Sequence, residues 1–177
     1  MSGIIKATNL EVTTIKDKTN SNTAISIDSA GRMLQPNIPF LICNCSGYSG
    51  NITPTSFDGL IPWQNVLSSR GIALDTSTNL WTVPITGLYH ISAAVRLNSN
   101  YSYMYWNVDD RTGTPASVQG DKLVIGHGGG TTFTTAVGSV LLNLETGKNY
   151  GMRANASSAS AVALSSTQTW MDIHLVG

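Results

Sequence analysis

Residues 79–97 read NLWTVPITGLYHISAAVRL, and this stretch decides the fold. Trp81 lies in a short apolar run that stops at Pro84, a residue with no amide hydrogen to give to a strand ladder. Gly87 then permits a bend. Beyond it Tyr89, Ile91, Ala93 and Val95 recur at a period of two, the mark of a strand with one buried face. The stretch predicts two strands joined by a tight turn. Trp81 and Tyr89 face the core, and the tyrosine hydroxyl reaches a partner. Trp81, Pro84, Gly87 and Tyr89 are therefore expected to be structural and not catalytic.

Working outward, the pattern stays all-β from residue 36 to the C-terminus. FLICNCSG, WQNVLS, YSYMYWNVDD, DKLVIGH, TFTTAVGSVLLNL, NYGMRANAS, VALSS and TWMDIHLVG read as further strands, with Gly, Pro, Asn and Asp between them at short intervals. Such spacing predicts a β-sandwich or barrel. LETGKNY is a tight connection with Gly147 at a left-handed position. Residues 1–35 form a separate polar arm. Leu10 with Val12 and Ile25 with Ile27 give short alternations, and DSAGR is a turn signal. No helical or heptad period is sustained, so the arm is expected to be disordered or ordered by partners.

Composition narrows the function. Charged residues make up 11% of the 177-residue chain, against about 25% in an average protein. Ten basic and ten acidic residues cancel. A chain without a basic patch is a poor sequence-independent ligand for nucleic acid, and low net charge favours assembly. No apolar run reaches the roughly 18 residues of a membrane span, and the N-terminus is expected to carry no secretory signal. Cys43 and Cys45 share one strand face, where a disulfide would be strained, so two buried free thiols are expected.

The longer spacing IPWQNVLSSRGIALDTSTNLWTVPITGLYHIS resembles the globular head of the first complement component and its relatives, the complement/tumour-necrosis-factor jelly roll. Trp81 stands for that family's usual Phe, before Thr-x-Pro and Gly-x-Tyr. TTAVGSVLLNLETGKNYGMRA and STQTWMDIHLVG resemble its apolar strand, return strand and closing strand. The resemblance implies an antiparallel jelly-roll β-sandwich that forms homotrimers. The arm, LEVTTIKDKTNSNTAISIDSAGRMLQPNIP, resembles the leader that precedes such heads in tail fibres of tailed phages.

Candidate sites are few. Tyr101, Tyr103 and Tyr105 in YSYMYW share a face opposite Met104 and Trp106. That face reads as a subunit interface, a plain ladder or a glycan platform. Trp81 and Trp170 occupy core-aromatic positions of the resembled family. NVDDRTG, with Asp109, Asp110 and Arg111, and GHGGGTT, with His127, read as exposed contact loops. Calcium at Asp109 and Asp110 is outweighed by a solvated turn, because the loop lacks further carboxylates. HGGG copies an oxyanion loop, but no Gly-x-Ser-x-Gly elbow accompanies it. His90, His127 and His174 show no acid or cysteine at a ligand interval in this reading and are expected to be solvated or interfacial. No metal, cofactor or catalytic residue is expected.

The sequence thus predicts a non-enzymatic virion protein with two parts. Residues 1–35 are the attachment arm, joined to other virion proteins of capsid or tail. Residues 36–177 are the head and trimerisation domain, with its outer loops offered to a host glycan or receptor. The alternative is a capsid decoration protein whose trimers and arms clamp capsid subunits. A polysaccharide-degrading enzyme ranks lower, because it needs paired carboxylates in a cleft.

Overall fold

The computed structural model describes residues 14–16, 23–35, 37–54, 59–113, 116–117, 124–126, 132–158 and 160–176. They fall into two compact units, one ending at Ile38 and one beginning at Pro39.

The first unit holds β1 (Thr14–Lys16), β2 (Thr23–Ile27) and β3 (Met33–Leu34), paired antiparallel in that order. The Ile25–Ile27 alternation falls on β2, while Leu10 and Val12 lie outside the described residues. DSAGR makes the β2–β3 turn. Asp28 Oδ1 accepts from the amides of Ala30 (2.9 Å) and Arg32 (3.0 Å), and Gly31 sits at φ 77°. Arg32 Nε donates back to Asp28 Oδ2 at 2.7 Å.

In the second unit the strands are β4 (Phe40–Asn44), β5 (Asn51–Ile52), β6 (Asn65–Arg70), β7 (Ala73–Asp75), β8 (Leu80–Thr82), β9 (Gly87–Leu97), β10 (Met104–Asp110), β11 (Ala116–Ser117), β12 (Val124–Gly126), β13 (Thr134–Leu144), β14 (Tyr150–Ala156), β15 (Val162–Ala163) and β16 (Trp170–Leu175). Two antiparallel sheets carry the architecture. One runs β13-β9-β16-β4-β6. The other runs β11-β10-β14-β8-β7, with β12 also on β10. A small β15-β5 ribbon completes it. This is an all-β antiparallel jelly-roll sandwich. An apolar core lies between the sheets and includes Leu41, Trp63, Trp81, Tyr89, Ile91, Trp106, Met152 and Ile173.

The opening stretch behaves as its spacing requires. β8 ends at Thr82, before Pro84, and β9 begins at Gly87. Trp81 and Tyr89 are fully buried, and the Tyr89 hydroxyl donates to the Ile85 carbonyl at 2.8 Å. One side chain thus fills the core and closes the preceding turn, much as a tyrosine corner does. Gly147 has φ 81°, as its turn predicts. In the hairpin between β7 and β8, Asn79 takes the left-handed position at φ 60°. The Ser77 hydroxyl and amide both donate to Asp75, holding its carboxyl at a pKa of about 2. Cys43 and Cys45 are buried free thiols. Burial pushes the Cys45 thiol up to about 12 and raises Cys43 as well.

Candidate functional site

The five-stranded sheet has one face in the core and one face outward, because side chains alternate along each strand. Tyr89, Ile91, Ala93, Val95 and Leu97 of β9 point inward, as do Met171 and Ile173 of β16 and Leu142 and Leu144 of β13. The register then sets the outward rows. Leu141 lies opposite His90, His90 opposite His174, and His174 opposite Phe40. Ser139, Ser92, Asp172 and Ile42 form the next row, and Val137, Ala94, Trp170 and Asn44 the next. Val137 is 59% exposed, Leu141 49% and Trp170 41%. These three large apolar side chains are exposed on one sheet face, among polar ones.

Trp170 corrects the expectation of a core aromatic. Strand parity gives the inward places to Met171 and Ile173, so Trp170 faces out. Edge strand β6 is likewise mostly exposed, and Arg70 stacks over the Phe40 ring at 5.3 Å.

Polar side chains are interspersed on this face, and three of them cluster. His174 Nδ1 is 3.0 Å from Asp172 Oδ1, and the rings of His90 and His174 lie 5.0 Å apart between centroids. Ser92 Oγ is 3.5 Å from His90 Nδ1. One donor atom from each of His90, Asp172 and His174 lies within 4.8 Å of the other two. The histidines are thus not isolated, contrary to the reading of the sequence. Asp172 and His174 are two apart on one strand and share a face, and β9 brings His90 from 84 positions away. The Asp-x-His spacing was the available signal.

The tyrosine row is split. Met104 and Trp106 are fully buried, as predicted. Tyr103 is exposed and stacks on half-buried Tyr105, centroids 6.4 Å apart and planes 18° from parallel. Tyr101 precedes β10 and is buried, its amide donating to Thr134 Oγ1 at 2.9 Å. It therefore does not belong to an exposed tyrosine platform.

The Asp109–Arg111 segment is also corrected. Asp109 lies within β10, fully buried, and accepts from Arg111 (2.9 Å) and Arg153 (3.0 Å). Asn107 and Asn155 extend this network. Two guanidiniums compensate the buried carboxylate, leaving it neither a contact residue nor half of a calcium loop. Asp110 points the other way along the strand, half-buried, 3.1 Å from Lys148 Nζ. His127 and the glycines after it lie outside the described residues.

No protein-family model matches the chain, and no curated protein matches it. Solved structures do. The globular domain of zebrafish complement 1qA protein superposes with a TM-score of 0.59 at 11% identity, covering 79% of this chain and 98% of its own. Eiger TNF from S. frugiperda gives 0.58 at 10% identity, covering 80% and 94%. Murine APRIL gives 0.56 at 14% identity, covering 78% and 99%. At these identities the likeness is one of fold, the complement/tumour-necrosis-factor jelly roll.

Proposed function

We propose that the chain is a non-enzymatic, homotrimeric structural subunit of a tailed-phage particle, a short appendage whose head points outward. The observation that carries the assembly is the outward face of the β13-β9-β16-β4-β6 sheet. Val137, Leu141 and Trp170 are large apolar side chains exposed on that one face, and further copies of the same chain are the occupant. The jelly-roll fold supports this reading. The leader-like arm supports attachment to the particle. The exposed Tyr103–Tyr105 pair lies on the opposite sheet, clear of the trimer face, and there it suits glycan contact.

Light scattering should give three times the 18.8 kDa chain mass. Leu141→Asp with Val137→Asp should give a folded monomer by circular dichroism. A monomeric wild-type protein refutes the trimer. A head beginning near Pro39 should trimerise but fail to join particles that lack the native protein, and normal incorporation refutes the anchor. Electron microscopy of labelled particles then reads whether the arm is fixed to tail or capsid.

A further inference from the structure

We infer that His90, Asp172 and His174 form a three-donor site for a zinc-class divalent transition metal. Two imidazoles and one carboxylate make a zinc donor set, and His₂-carboxylate sites leave a fourth position for water or another ligand. Nitrogen donors disfavour calcium and magnesium, which take oxygen.

The geometry is nearly in place. A tetrahedral ion with bonds of about 2.0–2.2 Å holds its donors about 3.3–3.6 Å apart. The donors here all lie within 4.8 Å of one another, and the Asp172–His174 contact is already 3.0 Å. Small side-chain rotations close the remainder. The backbone needs no movement, because His90 and His174 are direct cross-strand neighbours and Asp172 is two positions back on the same face. Donors fixed on paired central strands are preorganised. Ser92 Oγ beside His90 Nδ1 can orient that ring and leave its other nitrogen for the ion, the supporting contact that metal-bound histidines usually have. All three side chains are half-buried in the isolated chain and lie on the face proposed for trimer contact, so an ion enters each subunit before or as it assembles.

All three donors belong to one chain, so each subunit supplies a complete set of donors without a residue from a second copy. The full-length protein, stripped with chelator, is titrated with zinc chloride alone by calorimetry. One zinc per chain is expected. His90→Gln, His174→Gln and Asp172→Asn should each weaken binding at least about tenfold, since even indirect contacts to a metal site cost about 10–100-fold. Cobalt(II) should give the intense visible band of a four-coordinate ion, and the band should vanish in the double histidine variant. Circular dichroism confirms that each variant is folded. Equal zinc affinity in wild type and the folded double variant overturns the site, as does a stoichiometry far below one. Light scattering on the same samples reports the trimer separately.

Discussion

Tyr89 performs two tasks with separable energies. Its ring is fully buried in the main core, and its hydroxyl holds the Ile85 carbonyl at 2.8 Å. Tyr89→Phe removes only the hydroxyl. Ile85 is half exposed, so water can replace the lost donor, and the cost stays near the net value of one hydrogen bond, about 0.5–1.5 kcal/mol. Tyr89→Ala also opens a cavity and should cost about 3–5 kcal/mol, the usual figure for deleting a buried aromatic. At about 2–4 °C per kcal/mol for a chain of this size, the Phe variant should melt only a few degrees low and the Ala variant about 10 °C low. Urea unfolding followed by tryptophan fluorescence at one fixed protein concentration measures both, since assembly makes stability depend on concentration. If the Phe variant loses as much as the Ala variant, the ring is not the core element described. If the Ala variant loses less than about 1 kcal/mol, Tyr89 is not buried at all.

Two further outcomes follow from packing. A methyl group on Gly151 would lie 2.7 Å from Leu60 Cδ2 and 3.0 Å from Leu80 Cδ2; Gly151→Ala should cost about 1 kcal/mol, the low end of overpacking, because leucine termini can rotate away, and a shift in urea midpoint reads it. Cys43 and Cys45 should resist a thiol reagent at pH 8 and both react in denaturant, because burial keeps them protonated; rapid labelling of the native protein would contradict the assigned core.

The sandwich was legible in the sequence because its signals are local. Pro84, Gly87 and the alternation from Tyr89 to Leu97 each act within a few residues, and β8 and β9 begin and end where they dictate. Trp170 was misread because its place was taken from the family resemblance; the alternation of its own strand already sets Trp170 with polar Asp172 and His174, opposite buried Met171 and Ile173. Asp109 was misread because two adjacent aspartates look like a solvated turn. The residues that compensate it come from Arg111 nearby and Arg153 across the sheet, 44 positions on. The histidine–aspartate cluster was hidden for the same reason. Half of it is the Asp-x-His pair on β16, and the other half arrives only through the register of β9. Residues whose role depends on a cross-strand neighbour are silent until the ladder is known.

The head begins and ends at one place. β4 and β16 are antiparallel neighbours, and the Leu175 amide donates to the Pro39 carbonyl at 3.0 Å, with His174 opposite Phe40. Tension applied between the two ends of the head would peel β4 from β16 one hydrogen bond at a time, the weakest way to load a sheet. Tension between the N-terminal end and a loop elsewhere on the sandwich would instead be shared across many bonds at once. As a mechanical part, the head is suited to being held at its start and pulled through its loops.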